Sequence, residues 1–200
     1  MYNRRHIVEH LRSSDPQLTP IFKYIRREAI TPSRTPFMDL VEAIINQQLS
    51  EKAGSTIFTR LCSAFPHTSL TPKKLLDVPD QQVRDLGVSW SKVSYLKSLS
   101  RAVVTKALIF EDLKMQKDAD VITNLTKIKG IGAWTAEMFL MFSLGREDVF
   151  SYGDLGLRRG IQLLYKLKKE PSLKQMEKLS GRWKPYRTYV ALALWNFKDG

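Results

Sequence analysis

Apolar residues return every three or four positions along most of the chain, and this spacing predicts α-helices. Prolines and glycines fall between the periodic segments, and no run of residues alternates apolar and polar positions as a strand does. The pattern therefore predicts an all-α fold. The predicted helices cover residues 17–29, two segments within 37–65, a short segment from 72, and then 79–87, 91–108, 120–128, 133–144, 154–168, 172–179 and 186–197.

The chain of 200 residues carries 32 lysines and arginines against 20 acidic residues, a net charge of +12. This excess suits a polyanionic partner such as nucleic acid, although a merely basic enzyme would show the same balance. Cys62 is the only cysteine, which excludes an internal disulfide or a cysteine-ligated metal cluster and favours a reducing, intracellular compartment. No stretch approaches about 18 consecutive apolar residues, so we expect no membrane segment.

The most informative segment is the turn Lys129-Gly130-Ile131-Gly132 between two predicted helices. Glycine permits a positive φ and lets the backbone approach another molecule closely. The N–H groups that open the second helix, near Gly132 and Ala133, have no partner within that helix, so a DNA phosphate can bind there. Ile131 is expected to be buried between the two helices. An isolated Gly-x-Gly is more often only a tight turn.

The residues around this turn resemble the helix-hairpin-helix (HhH-GPD) DNA glycosylase superfamily, through Leu125, Ile128, the glycines and the following Ala-Trp-Thr-Ala. Residues 42–50 resemble its early helix that faces the flipped base, and residues 86–96 its glycine hinge. Residues 149–154 resemble the segment that carries its aspartate, twenty residues after Trp134. Residues 183–195 resemble the C-terminal helix of the 3-methyladenine DNA glycosylase II (AlkA-like) family. The resemblance covers roughly residues 37–197.

The resemblance implies two helical subdomains with a DNA-binding cleft between them. Residues 37–115 would form the central subdomain, and residues 1–36 with 116–200 the helix-hairpin-helix subdomain that carries the aspartate. It also implies that the partner is duplex DNA with a damaged base, that the protein is a monomer, and that no cofactor or side-chain metal site is needed. The hairpin of this family often holds a monovalent Na⁺ or K⁺ ion through backbone carbonyls.

Asp154 stands at the catalytic position of the resembled family. Taken alone, an aspartate at a helix start is usually a cap. Breaking a glycosidic bond builds positive charge on the sugar, and a fixed carboxylate beside that charge stabilises it. A base alkylated at a ring nitrogen is already a good leaving group and needs no general acid. The resemblance therefore implies that Asp154 is the catalytic carboxylate, and both roles are compatible.

Trp134 occupies the place of the Schiff-base lysine in those relatives that also cleave the DNA strand. Without an amine no imine forms, so the resemblance implies a monofunctional glycosylase that leaves an abasic site. Indole faces attract a cationic base by about 0.5–2 kcal/mol each, with ordinary core packing as the alternative. The expected base pocket consists of Trp134, Trp195, Tyr152, Met138 and Leu155.

The flipped base leaves a gap in the duplex that a side chain must fill. Gln48, or its neighbour Leu49, matches the wedge position of the family, although both glutamines of the Gln-Gln pair could be solvated instead. The residues expected to bind the DNA backbone are Lys129, Gly130, Ile131, Gly132, Ala133 and Thr135.

Three functions remain open at this point. The first is excision of alkylated purines such as 3-methyladenine and 7-methylguanine, as part of base excision repair. The second is a monofunctional glycosylase for deaminated or mismatched bases, and the third a non-catalytic helix-hairpin-helix DNA-binding protein. The scattered histidines and the missing phosphate-loop and dinucleotide motifs disfavour zinc deaminases and nucleotide-binding enzymes.

Overall fold

The computed structural model describes residues 4–26, 30–65 and 70–199, and the regular elements in these ranges are all helical. The predicted all-α class is therefore confirmed. Within the same ranges, no helix is both long and apolar enough to cross a bilayer. The α-helices are α1 (Arg4–Ser14), α2 (Pro36–Asn46), α3 (Glu51–Ser63), α4 (Pro72–Asp77), α5 (Asp80–Asp85), α6 (Trp90–Val104), α7 (Phe110–Met115), α8 (Asp118–Thr126), α9 (Ala133–Met138), α10 (Leu155–Leu164), α11 (Leu173–Ser180) and α12 (Arg187–Asp199). Segments Pro16–Tyr24 and Gly181–Trp183 are 3₁₀ helices, and Phe139–Ser143 is a π-helical turn that continues α9.

The chain forms two compact units, and the second is inserted into the sequence of the first. Unit 1 comprises residues 1–32 and 140–200, and unit 2 comprises residues 33–139. The sequence predicts a central subdomain of residues 37–115 instead, which would place α8 and α9 in the same subdomain as Asp154. The difference arises from tertiary contacts of Gly130, between α8 and α9, with Gln47 and Tyr95 of unit 2.

Unit 2 begins several of its helices with side-chain caps. The hydroxyls of Ser50, Thr71 and Ser89 each accept a backbone N–H from the first turn of α3, α4 and α6. Such caps satisfy a donor that has no partner inside the helix, and each stabilises its helix by about 1 kcal/mol. The apolar face of the helices then forms the core of the unit. Its fully buried side chains include Leu40, Ile44, Leu61, Leu75, Leu96 and Leu99.

Unit 1 joins the two ends of the chain through a buried carboxylate. Asp15 caps the 3₁₀ helix Pro16–Tyr24 and accepts hydrogen bonds from the hydroxyl of Tyr165, at 2.5 Å, and the indole N–H of Trp183, at 3.3 Å. Burial, together with the bond to Asp15, raises the pKa of Tyr165 far above its usual value, so this hydroxyl stays a donor. The network fixes the N-terminal segment to residues more than 140 positions away.

Two α-helices of the described ranges were not predicted, and one predicted helix is of another kind. In α1, Ile7 and Leu11 are one turn apart and fully buried. The charged residues around them hide the helical spacing of apolar positions in the sequence. The predicted helix 17–29 is a 3₁₀ helix that ends at Tyr24, and Pro20 within it has no N–H for a helical ladder. Residues 27–29 lie outside the described ranges. The six-residue α7 also escaped prediction, since it is too short to show a period.

Candidate active site

The hairpin between α8 and α9 is built around Gly130. Its φ is +94°, which a side chain disfavours, and a Cβ placed there would lie 2.2 Å from Cγ of Tyr95. The N–H of Ile131 donates to the carbonyl of Ile128 at 3.0 Å, and both side chains are buried, as expected for Ile131. Gly130 is therefore required by the protein's own packing.

The other half of the hairpin faces outward. Gly132 precedes α9 in an extended conformation, and a Cβ added to it would meet no atom within 4 Å. Ala133 is exposed, and the N-cap residue Gly132 makes no side-chain capping hydrogen bond. The side chain of Lys129 is exposed beside the hydroxyl of Ser94. The structure thus leaves the backbone around Gly132 open to another molecule, while Gly130 is closed.

The turn after α2 is fastened to the hairpin. The side-chain amide of Gln47 donates to the carbonyl of Gly130 at 2.9 Å. The ammonium group of Lys92 donates to the carbonyls of Ile45 and Gln47, at 2.8 and 2.7 Å, and so closes the end of α2. Burial lowers the pKa of this lysine. Gln47 is therefore a structural link, and the alternative that it is a solvated residue is wrong.

Gln48 follows in an unusual conformation. Its φ is +57°, a left-handed value that costs a non-glycine residue about 1–2 kcal/mol. Its side chain is exposed, and that of the adjacent Leu49 is 39% exposed. Strain of this kind concentrates where function requires a fixed direction of a side chain.

These residues of unit 2 share one open pocket. It brings together the wedge candidate, most of the predicted backbone-binding residues and one aromatic residue of the predicted base pocket. The indole of Trp134 is 47% exposed there, whereas the side chain of Thr135 is only 4% exposed. The lining consists of Gln47, Gln48, Tyr95, Gly130, Ile131, Gly132, Trp134 and Thr135.

In unit 1, Asp154 is the N-cap of α10. Its Oδ1 accepts the backbone N–H of Leu157 at 2.8 Å and the indole N–H of Trp195, in α12, at 3.0 Å. The carboxylate is partly exposed. The ring of Trp195 stacks on Phe142, with 6.4 Å between centroids and 26° between planes. Asp154 is thus a cap and also the centre of a polar and aromatic cluster.

The loop before Asp154 is anchored to the start of α12. The guanidinium of Arg187 forms an ion pair with Asp148, at 2.6 Å, and also donates to its carbonyl, at 2.7 Å. Thr188 exchanges hydrogen bonds with the same stretch, since its hydroxyl accepts the N–H of Val149 and donates to the carbonyl of Arg146. These contacts fix the path of the chain into residue 154.

The remaining predicted pocket residues differ in exposure. Tyr152 is half-buried, and its hydroxyl is hydrogen-bonded to that of Ser180 at 2.9 Å. Leu155, next to Asp154, is 62% exposed, whereas Met138 near the end of α9 is half-buried. Tyr152 therefore has a structural contact of its own, and Leu155 offers an open apolar surface.

The described residues contain no group of three or more side chains suited to hold a metal ion. Backbone carbonyls of the hairpin are the donor type that a monovalent cation accepts. Two of them already accept hydrogen bonds, Ile128 from Ile131 and Gly130 from Gln47. These two carbonyls are therefore engaged within the protein, and a cation at the hairpin stays a prediction.

Comparison with known proteins identifies the family. A family model described as HhH-GPD superfamily base excision DNA repair protein matches residues 41–185. DNA-3-methyladenine glycosylase 1 of Schizosaccharomyces pombe is 36% identical over 164 residues, which cover 81% of this chain and 72% of the relative.

Two solved structures are similar throughout. The DNA-3-methyladenine glycosidase of Bacillus halodurans has a TM-score of 0.85 at 37% identity, covering 96% of this chain and 88% of its own. The 3-methyladenine DNA glycosylase of S. pombe in complex with abasic DNA has a TM-score of 0.82 at 33% identity, covering 96% and 95%. This protein belongs to the HhH-GPD superfamily of base excision DNA repair proteins, as the hairpin and the aspartate twenty residues beyond Trp134 had indicated.

Proposed function

We propose that the protein is a monofunctional DNA glycosylase that hydrolyses the N-glycosidic bond of alkylated purines. It acts as a monomer on duplex DNA inside the cell and leaves an abasic site. Relatives named 3-methyladenine glycosylases cover most of the chain at 33–37% identity, which supports the substrate class. The observation that carries the proposal is the partly exposed Asp154 carboxylate, oriented by donors from two helices.

Asp154 supplies the chemistry in this proposal. As the bond to the base breaks, the sugar gains oxocarbenium character, and the fixed carboxylate stabilises that positive charge. The same group orients the attacking water. Since the two N–H groups reach Oδ1, the carboxylate is held in one direction before the substrate arrives. An alkylated base leaves readily because it already carries a positive charge, so the reaction needs no second carboxylate.

The exposed half of the hairpin binds the DNA backbone. The N–H groups near Gly132 and Ala133 meet a phosphate, and Lys129 adds a charge next to them. Main-chain donors read a phosphate without reading the sequence, which suits a repair enzyme. Gln48 enters the base stack when the damaged nucleotide leaves it, and its left-handed backbone supports this role.

Indole rings recognise the base. Trp195 presents aromatic surface in the same unit as Asp154, and Trp134 presents it in unit 2. Electron-rich rings attract a cationic base more strongly than a neutral one. Trp134 has no amine, so no imine forms with the sugar and no strand cleavage follows. Leu155 adds apolar surface next to the carboxylate.

The test is a base-release assay on methylated duplex DNA. We expect release of 3-methyladenine or 7-methylguanine without strand cleavage, and at least a ~10²-fold slower release by Asp154→Asn. Asparagine retains an oxygen that accepts both N–H groups, so this variant removes the charge and keeps the cap. Glu170→Gln is the matched control, because it removes a negative charge of the same unit from a half-exposed side chain.

Three results would contradict the proposal in different ways. Release of only uracil or hypoxanthine would place the enzyme among glycosylases for deaminated bases. Tight DNA binding without any base release would indicate a non-catalytic DNA-binding protein. Full activity of Asp154→Asn would remove Asp154 from the mechanism.

A further inference from the structure

The indole of Trp195 makes a contact that base stacking does not require. Its N–H points at Oδ1 of Asp154 from a helix that begins 33 residues further along the chain, and the distance is 3.0 Å. The cap of α10 is already complete without it, since Oδ1 accepts the N–H of Leu157 at 2.8 Å. The second donor therefore has no role in starting the helix, and its effect falls on the carboxylate.

Gly156 provides the space for this contact. A Cβ at this position would lie 3.0 Å from Oδ1 of Asp154, 3.0 Å from Cδ1 of Trp195 and 3.1 Å from its Nε1. These distances are shorter than ordinary van der Waals contact, so any side chain here would press between the carboxylate and the indole. Glycine also weakens a helix relative to alanine. Its presence in the first turn of α10 is explained by the approach of Trp195 to Asp154.

Phe142 holds the plane of the indole. Its ring stacks on that of Trp195 at a centroid distance of 6.4 Å. A ring that is stacked on one neighbour and hydrogen-bonded at its edge has little freedom to rotate. The donor direction at Nε1 is therefore fixed before DNA binds.

We propose that Trp195 is a positioning residue whose indole N–H sets the direction of the Asp154 carboxylate, with Gly156 keeping the gap between them. This inference rests on the proposed glycosylase function and assigns Trp195 a role that is separable from stacking on the base. The N–H acts on the bond-breaking step, whereas the ring face acts on recognition of the base.

Two replacements of Trp195 separate these roles. In the first, 3-benzothienylalanine takes its place; that side chain has the size and aromatic face of indole but carries sulfur where the N–H was. The second is Trp195→Phe, which is genetically simple and also lacks the donor. The measurements are the single-turnover rate of 7-methylguanine release and the affinity for duplex DNA with an abasic-site analogue.

We expect the single-turnover rate to fall about 10-fold to 100-fold in both variants, as for a lost hydrogen bond to a charged group. The affinity for the abasic analogue should change less than about 3-fold, because that DNA has no base to stack and binds through its backbone. Gly156→Ala should slow the reaction similarly. Combined with Trp195→Phe, it should add less than its separate effect, because both changes disturb one contact.

Trp183→Phe is the matched control. Trp183 also donates its indole N–H to a carboxylate of unit 1, that of Asp15, but this residue is fully buried. The control should lower the thermal stability while the single-turnover rate at a temperature where it is folded stays near wild type.

A wild-type rate for the benzothienylalanine protein would overturn the inference, and so would a loss of rate matched by an equal loss of affinity. Failure of the proposed function itself would look different, because the wild-type protein would then release no alkylated base at all. Thermal denaturation identifies any variant that has not folded. If Trp195→Phe is one of these, the single-turnover rate of the benzothienylalanine protein decides whether the inference holds.

Discussion

The side-chain amide of Gln47 donates a hydrogen bond of 2.9 Å to the carbonyl of Gly130, 83 residues later in the chain. This bond connects the turn that carries the wedge candidate to the hairpin that carries the candidate phosphate site. The same turn is held from the other side by Lys92, which donates to two of its carbonyls. Unit 2 thus presents Gln48 and the hairpin as one rigid surface.

Gln47→Met tests this link. Methionine has nearly the same length but no donor, so the partly buried carbonyl of Gly130 loses its partner. We expect the free energy of unfolding to fall by about 1 kcal/mol and the DNA affinity to fall with it. Urea denaturation and a binding titration measure both quantities. If neither changes, the bond does not hold the turn against the hairpin.

The two hairpin glycines should respond differently to alanine. Gly130→Ala places a methyl group against Tyr95 at a φ of +94°, so we expect a loss of about 2–3 kcal/mol in the free energy of unfolding. Gly132→Ala meets no atom of the protein, so the loss should stay below about 1 kcal/mol. DNA affinity should still fall in Gly132→Ala, because the methyl group would stand at the proposed phosphate site. Equal stability losses would show that the hairpin differs from this description.

Gln48 should show opposite effects on stability and activity. Gln48→Gly relieves the left-handed strain, so the melting temperature should stay equal or rise. Removing the wedge should slow base release about 10-fold from matched duplexes, where the base is hardest to extrude, and less from mismatched ones. Gln48→Ala removes the same side chain without relieving the strain and should show the same loss of rate. Unchanged rates in both variants would exclude Gln48 as the wedge.

Trp134→Lys should not create strand-cleaving activity. A lysine needs a depressed pKa and a defined position to form an imine, and the half-exposed site of Trp134 provides no burial for that purpose. Borohydride trapping on abasic duplex DNA checks this expectation. A covalent protein–DNA adduct in the variant, absent in wild type, would contradict it.

The sequence predicted those features that depend on local patterns. Helical periods located most of the α-helices, and the spacing of glycines located the hairpin. Asp154 could be chosen because its distance from Trp134 along the chain matches the family motif. Burial of Ile131 also followed from its place between two helices, and the structure confirms it.

The sequence could not predict contacts between distant side chains. Nothing near Trp195 in sequence indicates that its N–H reaches Asp154, and the clamp of Arg187 on Asp148 is equally non-local. Gln47 and Gln48 look alike in sequence, yet one is a bonded link and the other an exposed, strained residue. The division into units differs from the prediction for the same reason. The hairpin helices α8 and α9 fall in unit 2, and the contacts of Gly130 with Gln47 and Tyr95 are not visible in the sequence.

The insertion of unit 2 into unit 1 also determines the order in which the protein can fold on the ribosome. Residues 33–139 emerge as one uninterrupted stretch and can complete their core while translation continues. The buried network of Asp15 has to wait, because Asp15 meets Tyr165 and Trp183 only after those residues have left the exit tunnel. The unit that carries Asp154 is therefore the last to form, and a nascent chain stalled before residue 165 would display the hairpin before unit 1 has assembled around Asp154.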